Sequence, residues 1–275
     1  MVVGIIGLGL MGGSLGLELK DFDFIDKVIG YDRNTKHQKE ALELNIVDEI
    51  VEIEEIKKCD VIFLAIPVEG IIKIVKNLTD IDKNSTIIDL GSTKEKIVES
   101  IPKEIRKNFV AAHPMTGTEK FGPKAAFKGL YKDKIVVLCN IEDSGKEQAN
   151  IAKKIFTSLK MKIVYMDAKE HDRHAAFISH LPHAISYALA NSVLKQEDPK
   201  SILILAAGGF RDMSRLAKSS PNMWRDIFKQ NRENLLESID VFKKELKYAQ
   251  KLIEEKKWDE LKDWMQKATT LHDIL

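Results

Sequence analysis

The sequence predicts an α/β N-terminal domain with a mainly parallel sheet, followed by an all-α C-terminal domain. Three observations carry this. Short apolar runs alternate with amphipathic stretches up to about residue 166, and the alternation stops beyond Asp167. The 275 residues also suffice for two cores. The expected domains are therefore residues 1–166 and 167–275.

The runs VVGIIG, KVIGYD, DVIFLAIP, STIIDLG, FVAAHP, KIVVLC and MKIVYM are the strand candidates. They are continuously apolar rather than alternating, as strands covered on both faces are. Between them, residues 35–45, 69–78, 94–101 and 144–159 read as helices. Residues 168–194 have almost unbroken helical composition despite Pro182. Over 231–254, Leu235, Ile239, Phe242, Leu246, Ala249 and Ile253 recur in steps of four and three, which makes one apolar seam along a helix. That seam suits either a neighbouring helix or a second copy of the chain.

Charge argues against two partner classes. The 43 basic and 42 acidic residues nearly cancel, and no block of one sign appears, so neither nucleic acid nor an anionic membrane surface is indicated. A small-molecule substrate is expected instead. The apolar opening lacks the basic start of a secretory signal and carries four glycines between residues 4 and 12, which suit a turn. No other run approaches membrane-spanning length, and a cytoplasmic location is expected. Cys59 and Cys139 form neither a CxxC pair nor a ligand cluster, and read as reduced, half-buried packing residues.

Gly7, Gly9 and Gly12 form GxGxxG after the first strand candidate and before a helix. The first glycine permits the tight turn, the second lets a pyrophosphate approach, and the third allows close helix-to-strand packing. The first helical turn, with Leu10 and Met11, offers free N–H groups to phosphate. Asp32 follows Gly12 by 20 residues at the end of the second strand candidate, where a carboxylate bonds ribose hydroxyls and repels a 2′-phosphate. NAD is expected over NADP, although Arg33 offers a guanidinium that could hold the extra phosphate.

Ligands of open parallel sheets bind beyond the carboxyl ends of the strands. Pro67, Ser92 and His113 stand at three such ends. Transfer of hydride from an alcohol carbon needs a base for the hydroxyl proton, and neutral imidazole titrates in the range for that work. His113 is the candidate base.

The segments GLGLMGGSLG, DLGSTK, HPMTGTEKFG, SHLPHAISYAL and GGFRDMSRLAKSSPNMWRDI, in this order over nearly the whole chain, resemble the prephenate dehydrogenase family, including its arogenate-using members. The resemblance implies an NAD(P)-dependent oxidative decarboxylation in tyrosine biosynthesis, a Rossmann domain, and a helical domain that forms a homodimer. It also implies that His113 accepts the hydrogen bond or proton of the substrate's ring hydroxyl, and that Ser92 positions that hydroxyl near the nicotinamide. Arg215 matches the arginine that binds a substrate carboxylate, and His180 and His183 match a motif reaching into the substrate pocket. Thr118, Glu119, Arg211, Ser219 and Trp224 occupy further motif positions. Thr116 stands where alanine or a larger apolar residue is frequent.

Prephenate carries a ring carboxylate, a 4-hydroxyl and a pyruvyl side chain. Loss of hydride and carbon dioxide leaves an aromatic phenol, so a protein has chiefly to hold the dianion and receive a proton. Arginine stays charged and binds carboxylates in a planar fork, while a histidine acceptor must be neutral, which predicts activity falling on the acid side. His180 and His183 share a helix face, but no HExxH spacing or nearby third ligand accompanies them, and no metal is expected.

Two other readings are weighed against this one. A β-hydroxyacid dehydrogenase or imine reductase also opens on a GLGxMG turn, yet residues 175–194 lack the lysine expected of the hydroxyacid enzymes. A non-catalytic NAD-sensing protein would share the fold, but would have no use for Ser92, His113 and Arg215 together. With no room seen after the helical region for an appended regulatory domain, any feedback by tyrosine is expected to act within the active site.

Overall fold

The computed structural model describes residues 1–274. Its first domain is an eight-stranded sheet: β1 (Val2–Ile6), β2 (Lys27–Tyr31), β3 (Glu49–Ile50), β4 (Val61–Leu64), β5 (Thr86–Asp89), β6 (Phe109–Pro114), β7 (Ile135–Cys139) and β8 (Lys162–Met166). Helices α1 (Leu10–Leu19), α2 (Thr35–Glu43), α3 (Ile53–Ile56), α4 (Val68–Ile74), α5 (Glu95–Ser100) and α6 (Lys146–Ser158) connect them. All seven expected strands form. The short β3 is additional, and its two residues are too few to show a pattern.

The strand order is β3-β2-β1-β4-β5-β6-β7-β8, and the first six are parallel. The chain reverses its direction of travel across the sheet between β1 and β4, which opens a crevice at their carboxyl ends. β7 runs antiparallel to β6, with His113 opposite Val137, and β8 is parallel to β7. The cause is the connection over residues 115–134. It makes no crossover, staying instead at the carboxyl end of the sheet.

There the Tyr131 hydroxyl donates to the Met11 carbonyl at 2.7 Å, and the Phe127 N–H donates to the Ser14 hydroxyl at 3.1 Å. β7 therefore sets out from the end at which β6 finishes. Apolar side chains fill both faces of the sheet: Val3, Ile5, Phe63, Ile88, Val110 and Phe156 on one, Ile6, Ile62, Leu64, Ile87, Ala111 and Val137 on the other. Cys59 and Cys139 are fully buried rather than half-buried, because each packs in the second of these layers. Burial pushes their thiols up to about 11 and about 12, so neither is a thiolate near neutral pH.

The remaining chain is helical: α7 (Ala168–Ala175), α8 (Leu181–Leu194), α9 (Pro199–Ile204), α10 (Gly208–Ser214), α11 (Pro221–Gln230), α12 (Arg232–Glu254) and α13 (Trp258–Thr269). Asp167 starts α7, its side chain accepting from the Lys169 and Glu170 N–H groups. The expected continuous helix over 168–194 is interrupted by one π turn, Ala176–His180. Pro182 has no N–H with which to continue the ladder, and the turn before it widens. Among the described residues, no helix is long and apolar enough to cross a membrane.

Candidate active site

The glycine turn has the shape a dinucleotide requires. Gly7 sits at φ +97°, and a Cβ there would lie 2.4 Å from the Ala65 carbonyl oxygen. A Cβ on Gly12 would lie 1.9 Å from the Gly7 carbonyl oxygen, whereas one on Gly9 would meet nothing within 4 Å. The two outer glycines are thus demanded by the protein's own packing, and the middle one faces open space. The first backbone bond of α1 runs from the Gly13 N–H to the Gly9 carbonyl at 2.7 Å, so the N–H groups before it, on Leu10, Met11 and Gly12, have no helical partner. These residues fit NAD.

Asp32 caps the same turn. Its carboxylate accepts from the Leu8 N–H at 2.9 Å and the Asn34 N–H at 2.9 Å, and His37 Nδ1 lies 3.4 Å away. Arg33 beside it is exposed. Pro67, also exposed, starts α4, whose Glu69 N–H donates to the Asp226 carboxylate of α11 at 3.1 Å. That bond ties the second domain to the crevice.

His113 and Ser92 stand at the carboxyl ends of the paired strands β6 and β5, both half-buried. Beneath them Lys94 is fully buried, its ammonium bonded to the Asp89 carboxylate and, at 2.7 Å, to the Ala112 carbonyl. This pair holds the two strand ends together and leaves neither of its two buried charges unpartnered. Burial and the neighbouring His171, Lys94 and His180 hold the His113 imidazole well below its ordinary 6.5, keeping it neutral.

The ring does not stand alone. His113 Nδ1 lies 2.8 Å from His171 Nε2, and His171 Nδ1 lies 2.8 Å from the Asp172 carboxylate. Asp172 also accepts from the Lys94 N–H at 2.7 Å and the Glu95 N–H at 3.0 Å. Neither His171 nor Asp172 was expected from the sequence, although a signal is present. Ala168, His171, Asp172 and Ala175 fall at i, i+3, i+4 and i+7, the inward face of α7, and all four are buried.

The π turn aims the next two histidines. Asn231 donates to the Asp172 carbonyl at 2.6 Å and to His180 Nδ1 at 3.1 Å, so the His180 proton resides on Nε2, a buried atom with no partner. Burial brings His180 down to about 4. His183 gives its Nδ1 proton to the Ser179 carbonyl at 2.9 Å and stacks on Trp224 with ring centroids 3.5 Å apart. The Trp224 N–H is buried and unpartnered, and burial lowers the His183 imidazole as well.

Arg215 is exposed, and its charge is felt at His183. Asp226 is committed to Glu69 and Gln230 instead of to this arginine. Ser219 is buried and its carbonyl accepts from the Tyr187 hydroxyl at 2.9 Å. His113, His180, His183, Trp224 and Arg215 therefore form one connected group.

No hydrogen bond among the described residues joins Arg211, Thr118 or Glu119 to this group. Arg211 bonds the Ala206 carbonyl at 3.2 Å. Thr118 and Glu119 lie on the loop after β6, where the Thr118 hydroxyl accepts from the Lys120 N–H. Thr116 has a local use, its hydroxyl donating to the Leu130 carbonyl at 2.9 Å.

A dinucleotide turn, a neutral histidine at a strand end of the same sheet and the buried unpartnered donors of His180 and Trp224 together define a nucleotide-dependent dehydrogenase. The description "Prephenate dehydrogenase, nucleotide-binding domain" matches residues 15–165, and "Prephenate dehydrogenase, dimerization domain" matches residues 167–267. The prephenate dehydrogenase of Bacillus subtilis is 31% identical, over 98% of this chain and 74% of its own length. A crystal structure of Aquifex aeolicus prephenate dehydrogenase, in complex with hydroxyphenyl propionate and NAD+, has TM-score 0.93 at 33% identity, covering 99% of this chain and 97% of that one. Synechocystis arogenate dehydrogenase has TM-score 0.82 at 28% identity, covering 99% of each.

The chain belongs to the prephenate dehydrogenase family. It is an NAD-dependent oxidoreductase, and its reaction is an oxidative decarboxylation in tyrosine biosynthesis.

Proposed function

We propose that this protein converts prephenate to 4-hydroxyphenylpyruvate, with His113 as the base. The observation that carries the reading is the His113 ring: neutral, at the carboxyl end of β6, with Nδ1 engaged and Nε2 free for a substrate hydroxyl. The Gly7 to Gly12 turn, with Asp32 at the ribose, would hold NAD, which would supply the acceptor for the hydride released from the hydroxyl carbon.

The protein's part is proton handling and charge. His113 Nε2 takes the hydroxyl proton as that carbon becomes a carbonyl. The ring carboxylate leaves as carbon dioxide, its bonding pair enters the ring, and the proton returns to the ring oxygen as the phenol forms. Ser92 orients the hydroxyl. Arg215 holds a carboxylate of the dianion, and the free donors on His180 and Trp224 suit oxygen acceptors on the same substrate. Thr118, Glu119 and Arg211 act at the rim of the pocket.

The helical domain pairs two copies of the chain. Within one chain the apolar seam of α12 divides: Leu235 is buried, Ile239 and Phe242 are half-buried, and Leu246 and Ile253 stay more than half exposed. Ile204 and Leu205, each above 80% exposed, adjoin an apolar hollow of about 280 Å³ lined by Val193, Ile202, Leu203, Ala206 and Phe210. Surface of this kind marks an interface.

The deciding experiment is nucleotide reduction by the purified protein, with prephenate or arogenate and with NAD or NADP in each combination. Turnover with prephenate and NAD is expected. Turnover with arogenate alone would replace the substrate, and binding of NAD without turnover of either would overturn the reading.

A further inference from the structure

We infer that His171, held by Asp172, is a positioning residue that sets the tautomer of His113 and so decides which ring nitrogen offers its lone pair to substrate. The inference rests on the reading of His113 as the acceptor and extends it to two residues with no assigned role.

A chain of hydrogen bonds runs inward from His113 to Asp172. Asp172 is 2% exposed, and its carboxylate has only lone pairs to offer; it accepts from the Lys94 and Glu95 N–H groups. The His171 nitrogen that meets it at 2.8 Å must therefore carry a proton. A neutral imidazole has one N–H, so His171 Nε2 is a bare acceptor. The contact from His113 Nδ1 to that atom, also 2.8 Å, then requires the His113 proton to be on Nδ1. The lone pair is left on His113 Nε2, at the opposite edge of the ring.

That edge is the one turned toward the crevice. His171 is 3% exposed while His113 is only half-buried, so the closed side of the His113 ring faces His171 and the open side carries the lone pair. The rings meet edge-on, at 70° and 5.0 Å between centroids. The other charged or titratable groups around His113 are Lys94 and Asp89 at the β5 end and His180 on the π turn, and none of them bonds its Nδ1. When His113 takes up the substrate proton, the new cation donates through Nδ1 to His171, and Asp172 steadies the His171 ring. A histidine without such a partner is free to hold its proton on Nε2, the wrong atom for a base.

The tautomer can be read without turnover, by two-bond proton–nitrogen NMR correlations of the NAD-bound protein labelled with 15N-histidine. His113→Asn assigns the signal. The expected result is His113 protonated on Nδ1; protonation on Nε2 would overturn the inference. For His171→Leu, kcat should fall roughly 10- to 100-fold, less than the loss of the base itself, with KM for NAD unchanged and the acid limb of the pH profile displaced from its wild-type position. His171→Gln, whose amide oxygen can accept from Nδ1, should regain most of that loss.

A folded His171→Leu protein with wild-type kcat and pH profile would overturn the role, as would a Gln variant as slow as the Leu variant. If the Leu variant does not fold, the wild-type spectrum decides. Should His113→Asn stay active, the base reading fails while the tautomer remains a separate result.

Discussion

The two domains dispose of their apolar residues in opposite ways. The sheet domain buries most of its large aliphatic side chains in two layers, and Val3, Ile5, Ile62, Phe63 and Phe109 have no exposed surface. The helical domain leaves Ile204, Leu205, Leu246, Trp258 and Met265 at least half exposed. A strand covered on both faces is saturated by its own helices, whereas a helix with one seam satisfies only one neighbour. The first domain can hold a fixed turn by itself, while His113 also leans on His171 of the second. The second keeps exposed apolar surface, and Arg215 stands exposed beside it.

The largest expected effect lies where the saturated domain meets substrate. His113→Asn should lower kcat by about 10²- to 10⁴-fold while leaving Tm and NAD affinity near wild type. In the wild type, protonation of His113 removes the acceptor. Because burial lowers this imidazole, the acid limb of kcat/KM should fall below pH 6.5. A limb at or above 6.5 would show that His113 is less withdrawn from water than its surroundings imply.

Next is the open domain's charge. Arg215→Ala should reduce kcat/KM roughly 10- to 100-fold, the equivalent of about 1.5–3 kcal/mol for a hydrogen-bonded ion pair, with Tm unchanged because the side chain is exposed. A falling Tm would mean that the arginine supports the fold.

Two glycines test the packing contrast inside one motif. Gly12→Ala places a Cβ against the Gly7 carbonyl in a filled layer and should cost about 1–3 kcal/mol of stability as well as NAD affinity. Gly9→Ala meets open space, and should keep the wild-type Tm while raising KM for NAD. Equal losses of Tm would refute the separation.

The smallest effect on a single chain is expected at the seam. Leu246→Glu should change the intrinsic stability of one chain by only about 0.5 kcal/mol. It should nonetheless move the sedimentation mass from two chains toward one and make Tm depend on protein concentration. An unchanged mass would place the interface elsewhere.

Much of this was legible beforehand, for particular reasons. Most of the seven strands announce themselves because burial on both faces demands unbroken apolar runs; the edge strand β8 is an apolar run left partly exposed. Gly7 and Gly12 are legible because their neighbours admit no side chain. The antiparallel course of β7 and β8 is not, since KIVVLC and MKIVYM read the same in either direction. The seam on α12 shows a face that must be covered but not by what. The π turn at Ala176–His180 follows from Pro182 only once α7 and α8 are seen to belong to one continued helix.

The sequence by itself determined the class of cofactor, the strand ends on which Ser92 and His113 stand, and the residue types the chemistry needs, because each depends on local geometry and neighbouring residues. Only the tertiary structure shows which nitrogen of His113 meets a neighbour. That choice depends on α7 packing beneath α5 and delivering His171 and Asp172 to the far side of the ring, a contact between residues 58 positions apart. Periodicity shows that α7 has an inward face. What that face touches is settled by the packing of one domain on the other.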